Sequence, residues 1–294
     1  MGQKPFNEAI CLKQYLTDKE YEEINKLQEL SYSIDKTNLK LELGYRLTRS
    51  RSSEPGLKSI NEFLYYIDEA LVAYLNISNF GGNIGEINGL THPDWRRKGL
   101  FKRLFDLAQI EGRNRNFSKL LLLSDGKSNS GIEFIKAVGG RYDISEYRMK
   151  LINNTYSEGA NIVTLRAAGL SDLREIRRQN SIYFDDNSEN DGIPLEEDPP
   201  NEITYIAELK GETIGKIKIE FDENSAFICG FGILPDYRGK GYGKAALKEA
   251  LRLISSKNIH EVALDVACTN NSALNLYQSC GFVQQSVMDY YQFS

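Results

Sequence analysis

The chain is poor in the residues that build metal centres. Its 294 residues include only two histidines, His92 and His260, and four cysteines, none of which forms a Cys-x-x-Cys pair. A structural zinc site needs four closely spaced nitrogen or sulfur ligands, so no metal is predicted. Free, scattered cysteines are typical of a reducing compartment, and we therefore expect a cytoplasmic protein.

Long apolar runs and a basic surface are also missing. No segment approaches the roughly 20 apolar residues that span a bilayer, and the N-terminus has no apolar signal core. The formal net charge of -5 argues against nucleic acid as a partner, because phosphate binding needs a basic surface. We expect neither a membrane nor a nucleic acid among the partners, and a monomer or weak homodimer.

What the sequence does contain is an internal repeat. Residues 92–108 and 234–250 share a pattern in which Pro93 matches Pro235 and Gly99 matches Gly241. Farther on, matching Asn129 with Asn270 requires one residue fewer in the second copy. So many matches in one window indicate a duplicated domain.

The repeat and a polar segment at 153–159 predict two tandem domains, over 1–153 and 161–294. In the second, the patterns predict strands over 203–209, 213–221, 226–234 and 261–267. Helices are predicted to begin near Gly241 and Ser272. The predicted fold class is α/β, with a mixed, mostly antiparallel β-sheet flanked by helices in each domain.

A glycine-rich turn lies between the predicted strand 226–234 and the helix that follows it. It reads Arg-Gly-Lys-Gly-Tyr-Gly-Lys from Arg238 to Lys244. Glycines let backbone amides point inward at a helix N-terminus, where the dipole is positive, and this favours a pyrophosphate. The dinucleotide and P-loop fingerprints do not fit, because Lys244 and Ala245 occupy required positions. Alternatively, such a turn only reverses the chain.

These residues resemble the signature of the GNAT superfamily of N-acetyltransferases, an Arg-x-x-Gly-x-Gly turn between a strand and a helix. A second GNAT pattern follows in order as Asn270, Ala273, Tyr277 and Gly281-Phe282. The resemblance covers residues 161–294 well and residues 1–152 in degenerate form. The tandem layout is similar to that of mycothiol synthase-like, double-GNAT proteins.

The resemblance implies acetyl-CoA as the cosubstrate. The pantetheine arm would lie beside the strand that ends near Ile233, whose amide would approach the thioester oxygen as an oxyanion donor. Asn270 would contact the cofactor or order the loop before its helix. The implied cofactor-binding residues are Phe231, Gly232, Ile233, Arg238, Gly239, Lys240, Gly241, Tyr242, Gly243, Lys244 and Asn270.

Two residues are candidates for proton transfer. Tyr277 stands where the family places the donor to the leaving thiolate, although helical position alone favours a core tyrosine. Asp265 alternates to the opposite face from Val262, Leu264 and Val266, so it is either a general base or a solvated strand-end aspartate. A water-relayed base is the further alternative.

The first copy lacks these groups. Phe101 stands where Gly243 stands in the second copy, Lys136 is matched with Tyr277, and Ser124 is matched with Asp265. We predict that the first domain is not catalytic and shapes the site, the alternative being a weak or regulatory acyl-CoA site.

Eight carboxylates occur from Asp185 to Glu202, and no Lys or Arg occurs between Arg178 and Lys210. They predict a cationic acceptor, unless the segment is only a solvated loop. The predicted function is acetyl transfer from acetyl-CoA to a primary amine of a small, cationic molecule by direct attack. The alternatives are a protein N-terminal or lysine acetyltransferase and a non-catalytic acyl-CoA-binding sensor.

Overall fold

The computed structural model describes residues 7–50, 59–79, 83–152, 162–184 and 201–293. The predicted domain boundary at 153–159 lies outside the described residues. Contacts divide the chain into two compact units, which we call unit 1 (residues 1–145 and 287–294) and unit 2 (residues 146–286). Each unit contains a mixed β-sheet with helices, so the predicted α/β fold class is confirmed.

The described strands and helices follow one another in the order expected of a repeated α/β fold. In chain order they are β1 (Glu8–Lys13), α1 (Asp18–Asp35), α2 (Leu43–Ser50), β2 (Glu62–Ile67), β3 (Ala70–Ser78), β4 (Ile84–Thr91), α3 (Leu100–Asn114), β5 (Lys119–Asp125), α4 (Asn129–Ala137), β6 (Arg141–Leu151), β7 (Thr164–Ala167), α5 (Leu173–Phe184), β8 (Glu202–Leu209), β9 (Glu212–Phe221), β10 (Ser225–Ile233), α6 (Tyr242–Ser256), β11 (Glu261–Ala267), α7 (Asn271–Gln278) and β12 (Phe282–Phe293).

Each unit contains a strand segment that the sequence assigns to the other copy. In unit 1 the strand order is β1-β2-β3-β4-β5-β12, and residues 288–293 of β12 pair with β5. In unit 2 it is β6-β11-β10-β9-β8-β7, and residues 146–150 of β6 pair with β11. The sequence predicts two domains that are each continuous in the chain. The compact units differ from them because most of β12 belongs to unit 1 and the second half of β6 belongs to unit 2.

The core of unit 2 forms where the apolar face of a strand, with every second residue buried, packs against the apolar stripe of a helix. On β11, Val262, Leu264 and Val266 turn to one face, and all three are buried. On α6, Leu247 and Leu251 lie on the stripe that packs against this face. Burying each such side chain contributes about 1.5–3 kcal/mol, which holds α6 against the sheet.

In each unit one pair of parallel strands stops pairing before it ends. β10 and β11 are paired only through Ile228 and Leu264, although the strands continue to Ile233 and Ala267. β4 and β5 likewise are paired only through residues 87 and 122. The strands therefore diverge at their carboxyl ends, the edge at which open α/β sheets bind ligands.

Candidate functional site

The glycine-rich turn continues directly from β10. Residues 235–237 form one 3-10 turn, and α6 begins at Tyr242 after Gly239 (φ 73°) and Gly241 (φ 83°). A residue with a Cβ would pay roughly 1–2 kcal/mol for such a left-handed conformation. A Cβ at either glycine would meet no atom within 4 Å, so the turn borders open space. The amides that open α6 have no partner within their own helix, which suits an anion.

Two cations of the turn are held by its own backbone and rings. The Nε of Arg238 donates to the carbonyl of Ile233 at 2.7 Å, and its guanidinium lies 5.9 Å from the ring centroid of Tyr183. The Nζ of Lys240 donates to the carbonyl of Asp236 at 2.9 Å. Both cations are therefore positioned on the turn by carbonyl groups and an aromatic ring, and none of these three contacts is to a carboxylate.

The end of β10 carries a β-bulge. The register with β9 shifts between Cys229 and Gly232, and Gly230 adopts φ 52°. After the bulge, the amide of Leu234 donates to the carbonyl of Ile214 at 2.8 Å. Along an antiparallel strand, the backbone N–H groups point alternately toward and away from the neighbouring strand. Since the Leu234 amide points toward β9, the Ile233 amide points away from it, toward the side on which β11 has diverged. That orientation suits its predicted role toward the thioester oxygen.

Tyr277 lies on α7 in the core of unit 2. Its side chain is 8% exposed, and its ring centroid lies 6.1 Å from that of Phe282. Burial raises the pKa of Tyr277 to about 12. The hydroxyl therefore stays protonated at neutral pH, which a proton donor needs, while the ring contributes to packing.

Asn270 forms the N-cap of α7. Its Oδ1 accepts a hydrogen bond from the Ala273 amide at 3.1 Å. This is the second of its two predicted roles, ordering the loop before the helix. Contact with the cofactor stays a prediction.

Asp265 is held in an ion pair that the sequence did not reveal. Its two oxygens accept from the Nε and Nη2 of Arg148 at 2.5 and 3.0 Å, and Arg148 also lies 4.8 Å above the ring of Phe227. Arg148 lies on β6, which the sequence assigned to the other copy, so nothing in the pattern pointed to this partner. The ion pair accounts for the carboxylate without a catalytic role, and the base role stays a prediction.

Tyr183 is a site residue that sequence reasoning missed. A Cβ built on Gly232 would lie 2.3 Å from the Tyr183 ring, so the ring rests on bare backbone just after the bulge. The Tyr183 hydroxyl donates to Gln179 Oε1 at 3.0 Å, and Gln179 Nε2 donates to Glu175 at 2.8 Å. A glycine in a strand signals such a close approach, but the sequence does not reveal the approaching side chain.

Unit 1 repeats the backbone of the turn but neutralises its arginine. Gly99 (φ 79°) caps α3 as Gly241 caps α6, and the Nε of Arg96 donates to the Thr91 carbonyl at 3.2 Å. The Arg96 guanidinium, however, donates to both oxygens of Asp35 at 3.0 and 2.5 Å. This lowers the pKa of Asp35 and pairs the arginine of this turn with a carboxylate, whereas the Nε of Arg238 in unit 2 donates to a carbonyl.

The opening of unit 1 is also filled by aromatic rings. Phe101 packs edge-on against Phe134 with ring centroids 4.9 Å apart, and its ring would lie 2.8 Å from a Cβ on Gly89. In unit 2 the position of Phe101 is Gly243, where a Cβ would meet Leu276 only at 3.5 Å. The second residue of α6 therefore leaves room that the Phe101 ring occupies at the matching residue of α3.

The structure corrects the register in which the sequence matched the two copies. Ser128 caps α4 as Asn270 caps α7, and Gly139 (φ 93°) follows its helix as Gly281 (φ 94°) does. No residue is missing from the second copy between turn and cap, so matching Asn129 with Asn270 was wrong.

With this register, Tyr277 is matched by Ile135 and Asp265 by Leu123, not by Lys136 and Ser124. The alignment of the two copies was wrong by one residue here, and on a strand such an error matches residues that face opposite sides of the sheet. Ile135 and Leu123 are both buried apolar side chains. The absence of a matching donor and base in unit 1 holds in the corrected register.

The acidic run at 185–200, from which the cationic acceptor was predicted, lies outside the described residues. Glu202 is described, is buried, and accepts from Lys218 at 2.6 Å. Within the described ranges, no group of three or more His, Cys, Asp or Glu side chains could hold a metal ion. Nor does any described helix have the length and apolarity to cross a membrane.

The diverging strands, the bulge and the open glycine turn of unit 2 all lie within residues 170–282. Residues 170–282 match the family model described as the Acetyltransferase (GNAT) family. This part of the chain is a GNAT-family acetyltransferase domain.

Relatives and solved structures extend the likeness to the whole chain. An uncharacterized N-acetyltransferase, YycN of Bacillus subtilis, is 38% identical over 69 residues, 24% of this chain and 44% of that protein. The mycothiol acetyltransferase of Paenarthrobacter aurescens is 24% identical over 274 residues, 81% of this chain and 82% of that protein.

Two solved structures match over nearly the full length of both chains. A GCN5-related N-acetyltransferase from Sphaerobacter thermophilus has a TM-score of 0.73 at 16% identity and covers 97% of this chain and 95% of its own. A tandem GNAT protein from the clavulanic acid biosynthesis pathway has a TM-score of 0.70 at 13% identity and covers 98% of each chain. At this identity they establish the tandem fold alone.

Proposed function

We propose that the chain transfers the acetyl group of acetyl-CoA to a primary amine of a small molecule, with binding and chemistry in unit 2. One contrast carries the proposal: unit 2 has the small Gly243 at the start of α6, whereas Phe101 stands at the matching position of unit 1 and packs on Phe134, and Arg96 of unit 1 is paired with Asp35. Unit 1 is then a non-catalytic domain.

The turn and the end of β10 bind the cosubstrate. The amides from Gly239 to Lys244 hold the pyrophosphate, with Arg238 supplying charge. The pantetheine arm lies beside Phe231–Ile233, where β10 and β11 have diverged. The turn's open space and the direction of the Ile233 amide support this fit.

The reaction is a direct displacement. Acetyl-CoA supplies an acyl group activated as a thioester. The nitrogen of the neutral amine forms the new amide bond as the carbon–sulfur bond breaks, and the Ile233 amide stabilises the charge that develops on the carbonyl oxygen. The Tyr277 hydroxyl gives its proton to the departing thiolate, and the surplus proton of the amine passes to a base.

The proposed function is tested by measuring thiol release from acetyl-CoA with a panel of small amines and of peptides. Release with small amines supports the proposal. Release with peptides alone would indicate a protein acetyltransferase instead, and tight acetyl-CoA binding without release by any acceptor would indicate a sensor.

Replacing Glu196, Glu197 and Asp198 by Gln, Gln and Asn is expected to lower kcat/KM for cationic amines and to leave neutral amines unchanged. Carboxylates steer cations over about 8 Å at physiological salt. Steady-state assays at two salt concentrations check this, because added salt should shrink the difference. Equal effects on both kinds of amine would make the acidic run a solvated spacer.

Asp265→Asn tests the base. If Asp265 accepts the amine's proton, kcat should fall by about 10²–10⁴-fold. The control is Arg148→Met, which breaks the same ion pair but keeps the carboxylate. If both variants lose the same activity, the pair is structural and a water relay is the base.

A further inference from the structure

The β-bulge distinguishes the two units. In unit 1, β3 and β4 pair without interruption from Ala73 with Thr91 to Ser78 with Glu86. In unit 2 the matching pair, β9 and β10, shifts register between Cys229 and Gly232. β10 therefore carries one extra residue at the end that reaches the site, and bulges of this kind re-aim the groups that follow them.

A buried lysine holds this bulge. The Nζ of Lys216 on β9 donates to the carbonyl of Gly230 at 3.0 Å, and the side chain is only 3% exposed. A Cβ added to Gly230 would lie 3.3 Å from the same Nζ. Because an ammonium is costly to bury without hydrogen bonds, this contact fixes the carbonyl of Gly230 in place.

We propose that Lys216 is a positioning residue for acetyl transfer, because its ammonium holds the bulge that directly precedes Ile233 and so fixes where the Ile233 amide lies. This inference rests on the proposed function. Lys216 acts through the backbone and touches no reacting atom. The Tyr183 ring, which rests on Gly232, packs on the same face of the sheet as Lys216, because Gly232 and Lys216 are directly paired.

Unit 1 provides an internal comparison. The pairs Ala73 with Thr91 and Gly215 with Ile233 occupy the same place in their sheets, so Tyr74 matches Lys216. The Tyr74 hydroxyl donates to Glu62 at 2.5 Å and not to β4. The lysine and the bulge are thus both absent from the unit whose cofactor opening is filled.

The test compares Lys216→Met, Lys216→Arg and Lys218→Met in the full chain. Lys218 lies on the same face of β9, but its ammonium pairs with Glu202. An oxyanion donor acts in the transition state, so Lys216→Met should lower kcat by at least about tenfold while KM for acetyl-CoA stays within about twofold. Lys216→Arg keeps a donor and should recover part of the loss, and Lys218→Met should keep the wild-type kcat.

Amide hydrogen exchange gives a second readout that needs no activity. Peptides covering 229–233 should exchange faster in Lys216→Met, and peptides of α6 should not. Equal loss of kcat in the two Met variants, or unchanged exchange at 229–233, would overturn the proposal. If the wild-type chain acetylates no amine, the proposed function fails, and the exchange experiment still decides whether Lys216 holds the bulge.

Discussion

Gly241→Glu is expected to weaken acetyl-CoA binding by at least about 100-fold, or about 2.7 kcal/mol. The new carboxylate would stand at the start of α6, where the turn offers its amides to the pyrophosphate, and would repel it. Isothermal titration of the purified variant with acetyl-CoA measures the effect.

The chain contains a matched control for this change. Gly99→Glu replaces a glycine of nearly the same conformation, φ 79° against 83°, so both variants carry the same backbone strain. Gly99→Glu should bind acetyl-CoA like the wild type, because the opening of unit 1 is filled by Phe101 and Phe134. Equal loss of binding in both variants would point to general destabilisation or to a shared site.

Tyr277→Phe is expected to lower kcat by about 10²–10⁴-fold with little change in acetyl-CoA affinity. The variant keeps the ring that packs against Phe282 and removes only the hydroxyl that protonates the leaving thiolate. Steady-state kinetics, under conditions where chemistry limits turnover, give the change in kcat.

Controls separate this loss from a loss of packing. Thermal unfolding of Tyr277→Phe should change little, since the ring and its contacts remain. The pKa of Tyr277 is raised to about 12, so the wild-type donor stays protonated and its activity should not fall through Tyr277 below that pH. A variant with the full rate would make Tyr277 a packing residue only.

Local patterns predicted the parts of the fold that depend on neighbours in the chain. The strand 261–267 has the predicted bounds, and α6 begins one residue after Gly241, because alternation and helical spacing are set by which side chains must be buried. The turn from Arg238 to Gly243 could be predicted for the same reason, since glycines report backbone conformation directly.

Contacts between residues far apart in the chain could not be predicted. The Arg148–Asp265 pair depends on β6 lying beside β11, and the Tyr183 ring on Gly232 depends on where α5 crosses the sheet. The bulge at Gly230 is one extra residue on β10 relative to β9, so it cannot be predicted from the sequence of either strand alone. The wrong match of Asn129 with Asn270 arose because the two residues are identical. Their positions differ, since Asn270 caps its helix whereas the cap of α4 is Ser128.

The central claim is that each chain holds one acetyl-CoA, in unit 2. Isothermal titration of the wild-type chain with acetyl-CoA tests it most directly. A stoichiometry near one, lost in Gly241→Glu and kept in Gly99→Glu, is the predicted result. Two equivalent sites per chain, or one site that survives in Gly241→Glu, would contradict it.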